Sequence, residues 1–98
     1  MSREQAQPTF LLGTAVKITT TLNIDTVTSA KITIYDSSLV KKVEEADMTK
    51  SADKVYTYIY QSDVDDINGL YVASMSLING GYTTVEEEEF EFTKQVGT

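Results

Sequence analysis

The chain has 98 residues, 41% of them hydrophobic, which suits one small domain with one core. Cysteine and histidine are both absent, which excludes a disulfide framework and a thiolate metal site and removes the commonest general base together with the commonest imidazole ligand. Fifteen acidic against eight basic residues give a net charge of −7 that repels phosphate backbones and anionic lipid, so neither direct nucleic-acid binding nor membrane association is expected, and no cofactor is implied.

Residues 1–9 carry no apolar pattern and read as a flexible tail ahead of a single domain over residues 10–98. Three consecutive apolar residues follow, Phe10, Leu11 and Leu12, too few for a signal-peptide core or a membrane span, so the chain is expected to be made in a cytoplasm. Those three form either a first strand or a docking arm that adds to a neighbour's sheet edge. After Gly13, Val16, Ile18 and Leu22 share one face while Lys17, Thr19 and Thr21 share the other, which predicts a half-buried strand. Residues 23–29 are a polar connection. Ala30, Ile32 and Ile34 then alternate inward up to Tyr35, and Asp36, Ser37 and Ser38 end the run because short polar side chains bond to nearby backbone. Residues 39–43 predict a short strand of ambiguous facing. Residues 44–53 are expected to be irregular, a helical turn or a weak edge strand carrying Met48 inward being the alternatives.

Residues 54–61 are the strongest strand-forming segment, since tyrosines and β-branched residues suit a pleated surface. Tyr56, Tyr58 and Tyr60 lie on one face and Val55 and Ile59 on the other, so both faces are rather apolar. After an Asp/Asn/Gly loop, residues 70–77 alternate with Tyr71, Ala73, Met75 and Leu77 on one side. Asn79, Gly80 and Gly81 predict a tight turn. In residues 82–93, Phe90 and Phe92 share a face with Glu86 and Glu88. About seven strands without helical periodicity predict an all-β fold, an antiparallel two-sheet sandwich, with a small barrel as the structural alternative.

The run Asp66, Ile67, Asn68, Gly69, Leu70, Tyr71 followed by Ala73 resembles the D-x-x-G-x-Y approach to the penultimate strand of immunoglobulin-like domains, with Ala73 where antibody domains carry a cysteine. Together with the I-T-I-Y-D, V-Y-T-Y-I-Y and E-F-E-F segments, it resembles the small immunoglobulin-like or fibronectin-III-like structural proteins of tailed bacterial and archaeal viruses. The resemblance implies a tyrosine corner at Tyr71 with Asp66 and Gly69. It also implies a non-enzymatic virion part, as a head decoration, head–tail connector or tail-associated module. Such a part would reside in the virion, contact capsid, connector or tail proteins and form a homo-oligomer in the particle. The alternative is a carbohydrate- or receptor-recognition module, with calcium as an optional aid.

Asp63, Asp65, Asp66 and Asn68 offer several oxygen ligands in one loop, as calcium prefers, but their spacing departs from the EF-hand template, and a solvated turn is the better reading. Glu86 to Glu89 resemble an acid–base store, yet neighbours in a strand alternate faces, so a solvated strand is favoured over catalysis. Tyr56, Tyr58 and Tyr60 are expected in the core. Outward-facing rings would instead form an interface anchor, as would Phe10, Leu11 and Leu12 on a docking arm.

Overall fold

The computed structural model describes residues 8–22 and 27–95. Most of the expected tail and part of the polar connection at residues 23–29 lie outside the described residues. Eight strands follow in chain order: β1 (Thr9–Leu11), β2 (Ala15–Thr21), β3 (Ser29–Tyr35), β4 (Lys41–Asp47), β5 (Thr49–Ala52), β6 (Val55–Gln61), β7 (Gly69–Asn79) and β8 (Tyr82–Thr93). They form a five-stranded sheet, β1-β8-β7-β3-β4, and a three-stranded sheet, β2-β6-β5. In immunoglobulin lettering this is A′-G-F-C-C′ over B-E-D, with β1 parallel to β8 and every other pair antiparallel. The all-β, two-sheet sandwich read from the alternation is the observed architecture.

Burial follows the period of two. On β2 the sequence of exposed and buried residues alternates without a break, and on β7 Tyr71, Ala73, Met75 and Leu77 all turn inward. Ile32 and Ile34 on β3 meet Met75 and Ala73 across the ladder, so the centre of the larger sheet presents one continuous apolar face. The smaller sheet closes on it with Val16, Ile18, Tyr56 and Tyr60. The tightest part is an aromatic cluster: the Tyr71 ring stands edge-on to Phe92 at 4.8 Å and Phe90 lies edge-on to Phe92 at 5.6 Å.

Two segments differ from the sequence reading. The strand expected at residues 39–43 begins at Lys41 and runs on to Asp47, and the stretch expected to be irregular contributes β5 as well. Neither strand alternates in burial, because both are sheet edges whose side chains are mostly exposed. Backbone pairing to β3 and β6, rather than an apolar period, makes them strands. Met48, between them, is buried. β1 begins at Thr9, the last residue assigned to the tail, and the Pro8 carbonyl already accepts from the Glu91 N–H at 2.8 Å.

The β7–β8 hairpin keeps one register from Gly69 opposite Phe92 to Asn79 opposite Tyr82. Gly80 closes it at a φ of 58°, the left-handed region that the expected glycine turn requires. Its inward row runs Phe92, Phe90, Glu88, Glu86, so the apolar half of β8 seals the core, while Glu86 and Glu88 are exposed.

Candidate interaction surface

Three local arrangements hold the lower end of the sandwich. The buried Tyr71 ring carries its hydroxyl back toward the loop before β7, where it donates to the Ile67 carbonyl at 2.6 Å, four residues upstream. Gly69 sits between them at a φ of 121°, and a Cβ there would come within 2.7 Å of Ser37 Cβ. That closeness lets Ser37 Oγ donate to the Asn68 carbonyl at 2.8 Å, tying the β3–β4 turn to the β6–β7 loop. Asp66 is the hub: Lys42 Nζ lies 2.9 Å from its Oδ1, while the Asp63 N–H at 3.1 Å and the Tyr60 hydroxyl at 3.4 Å both donate to its Oδ2.

The electrostatics follow from that packing. Burial, then the Asp66 and Asp36 charges, push the Tyr71 phenol up to about 12. Tyr60 is raised further, again chiefly by burial and next by the Asp66 charge. Burial of Asp66 opposes its ionisation, but hydrogen bonds from Lys42 and from the Asp63 backbone outweigh it and hold the carboxyl below its usual value.

The same loop holds the residues weighed as a weak calcium candidate, for which a solvated turn is the better reading. Asp66 is turned onto Lys42 and Tyr60, Asp63 Oδ1 accepts from the Asp65 N–H at 2.8 Å, and the Asn68 carbonyl accepts from Ser37. Asp63 and Asp66 therefore spend carboxylate oxygens on bonds within the turn and to Lys42 and Tyr60, while Asp65 and Asn68 join it through their backbone. Among the described residues no three His, Cys, Asp or Glu side chains are grouped to hold a metal ion. Met48 and Met75 are packed into the core.

The tyrosines take the core placement expected of them, and the alternative of an exposed interface anchor is set aside. Tyr56 and Tyr60 are buried and Tyr58 is half-buried against the core, because β6 pairs with β2 so that the three tyrosines share the inward row of Thr20, Ile18 and Val16. Ile59 occupies the outer face and is 62% exposed. Leu12 is fully buried and Phe10 packs on Phe90 and Phe92, so these residues form a first strand and its exit into the core; Leu11 alone of the three faces outward. Glu86 to Glu89 stand exposed along β8.

The feature that sequence reading did not single out is the condition of the sheet edges, which expose backbone hydrogen-bonding groups to any passing strand. β4 is interrupted by two register shifts, bends at Glu45 with a φ of 48°, and is studded with charge. β5 has four residues and its own register shift. β1 has three, and the part of β8 beyond it carries the four glutamates. Among the described residues β2 has none of these guards: all seven of its residues stay in register with β6, without proline or bulge. The Leu22 N–H donates to the Lys54 carbonyl at 2.8 Å and the Thr14 carbonyl accepts from the Ser62 N–H, so the even-numbered residues direct their backbone at β6. By alternation, Ala15, Lys17, Thr19 and Thr21 direct theirs at the open side. The signal was present as a clean alternating run, but which side of a strand is paired is a tertiary fact.

The fold and its surfaces define an immunoglobulin-type β-sandwich with one edge left unguarded among the described residues. No protein-family model matches the chain, and no curated protein does. Among solved structures it is similar to CopC from Methylosinus trichosporium OB3b, with a TM-score of 0.68 and 18% sequence identity, over 96% of this chain and 90% of that one. At that identity the likeness establishes the sandwich fold. It also overturns the resemblance to viral structural proteins: the matching structure is CopC and not a virion protein, so the head-decoration, connector and tail roles and the virion location are set aside. The physical reason lies in what carried the resemblance. The D-x-x-G-x-Y corner, the glycine turn and the alternating runs are requirements of the sandwich itself, and one fold hosts many functions.

Proposed function

We propose that this chain is a non-catalytic β-sandwich module that works by protein–protein contact, beginning with contact between its own copies. The observation that carries the reading is the β2 edge, where four residues direct backbone donors and acceptors away from β6 while the other edges among the described residues are guarded. An enzyme reading lacks residues to work with. Histidine and cysteine are absent, and the densest carboxylate run lies spread on an exposed strand, without the enclosed pair that acid–base chemistry needs.

Sedimentation equilibrium from micromolar to near-millimolar protein tests the reading. The expected result is reversible self-association that strengthens with added salt, because the net charge of −7 on each copy opposes approach at low ionic strength. An ideal monomer at every concentration and salt would overturn it.

A further inference from the structure

We infer that two copies join through β2, antiparallel about a twofold axis at Ile18, so that the two three-stranded sheets fuse into one six-stranded sheet. The inference rests on the contact reading above and specifies its geometry.

The register follows from three constraints. First, Ala15, Lys17, Thr19 and Thr21 carry the outward backbone groups, so hydrogen-bonded pairs across the interface must match odd residues with odd residues. Second, the overlap is longest when the axis passes through the middle of the strand, which is Ile18. Ala15 then faces Thr21 of the other copy and Lys17 faces Thr19, giving about eight backbone hydrogen bonds from four narrow pairs. Third, charge selects among neighbouring registers. An axis through Lys17 would set two ammonium groups directly opposite each other, whereas the axis at Ile18 sets each against a threonine hydroxyl.

The side chains fit the same arrangement. Val16, Ile18 and Thr20 are the inward row of β2, so Ile18 meets Ile18 and Val16 meets Thr20 of the second copy, and the buried layer continues across the axis. The strand carries no carboxylate, which makes it a contact line on which two copies of an acidic protein approach without acid facing acid. Because the same patch serves both partners, the pairing closes at two and leaves no edge of β2 free for a third.

Three variants test it, in a chain that has no cysteine of its own. Thr19→Pro removes an outward N–H while sparing every β2–β6 ladder bond, and proline is tolerated at such an edge position. It is expected to keep a cooperative thermal transition and to sediment as a monomer where the parent associates. Lys17→Cys and Thr19→Cys proteins, oxidised separately and as a mixture, read the register directly. The mixture is expected to give at least fivefold more disulfide-linked dimer than either protein alone, since only the mixture brings the two positions opposite each other. Association unchanged in Thr19→Pro, or cross-linking no greater in the mixture, would overturn the β2 pairing while leaving the contact reading in place if the parent still associates. A parent that never associates would remove both.

Discussion

Tyr71→Phe isolates a single hydroxyl. The residue is fully buried, and phenylalanine keeps the ring contacts to Phe92 at 4.8 Å and Phe90 at 5.9 Å, so core packing is preserved. What goes is the 2.6 Å bond to the Ile67 carbonyl, and that acceptor is left without its partner. A hydrogen bond contributes a net ~1 kcal/mol, and stranding a partly buried acceptor raises the loss to about 1–2 kcal/mol. For a domain of this size that is a fall in melting temperature of roughly 5–12 °C. Urea unfolding followed by circular dichroism should show a lower midpoint with an unchanged slope, since the surface exposed on unfolding barely changes.

Alkaline pH gives a second, independent readout. The phenol ionises near 10.0 in the unfolded chain and is pushed up to about 12 in the fold. The folded state therefore holds the proton more tightly, and its contribution is complete below 10 and drains away as the pH rises toward 12. Tyr71→Phe should lose part of that alkaline decline, the remainder belonging to Tyr60, whose pKa is also raised. A variant with the parent's urea midpoint and the parent's alkaline profile would refute the account of the corner.

Leu39 is 75% exposed yet held at a φ of 66°, where a branched side chain crowds its own backbone. The carboxylate of Asp36 fixes the turn by accepting from the Ser38 and Val40 N–H groups, so Leu39→Gly should relieve strain while leaving those bonds. The expected midpoint in urea is unchanged or up to about 1 kcal/mol higher, and a clear loss would contradict it. Gly69→Ala should act in the opposite sense, lowering stability by about 1–3 kcal/mol, because the site has both a φ of 121° and Ser37 in the path of the new methyl; a wild-type melting curve would count against the close approach. Asp66 is held below its usual carboxyl value, so its contribution is present above the unfolded value of 3.8 and lost as the pH falls through the lower folded one. Lys42→Met should shrink that acid loss in a pH series of urea midpoints, and an identical acid limb would argue against the Lys42–Asp66 pair.

What could be read from the sequence was whatever is encoded by side-chain alternation or by a local motif. Val16 and Ile18, Ile32 and Ile34, and the row from Tyr71 to Leu77 each announce a strand and its inward face, because one side of each is buried and the other is not. The approach Asp66, Gly69, Tyr71 was legible because its bonds join residues a few positions apart. β4 was legible only in its first residues and β5 not at all, for the converse reason: apart from Val43 and Ala46 their side chains are exposed, and their pairing depends on partners distant in sequence. The tyrosines of β6 sat between these cases. Apolar residues on both faces left two orientations open, and the register with β2 decides for the one that buries Tyr56 and Tyr60 and turns Ile59 outward. Function was least legible, since the turn and corner signals that suggested a viral part are the same ones that any sandwich of this topology needs.

The edges bring the fold and its proposed role together. A two-sheet sandwich ends in strands whose outer backbone groups have lost water's alternatives only in part, and each is a template for addition. This chain blunts β4 with register shifts and charge, β5 and β1 by brevity, and β8 with four glutamates. Those devices weaken pairing wherever they stand, so they cannot be spread onto a strand that has to pair. β2 must already hold β6 in an unbroken seven-residue ladder and cover the core with Val16 and Ile18, which forbids a bulge and forbids inward charge. The remaining freedom lies in its outward side chains, and there one lysine and two threonines stand where carboxylates would have matched the acidity of the molecule. A row of that kind solubilises the edge without repelling a copy of itself in the Ile18 register, whereas glutamates at positions 17 and 19 would have faced each other across the axis.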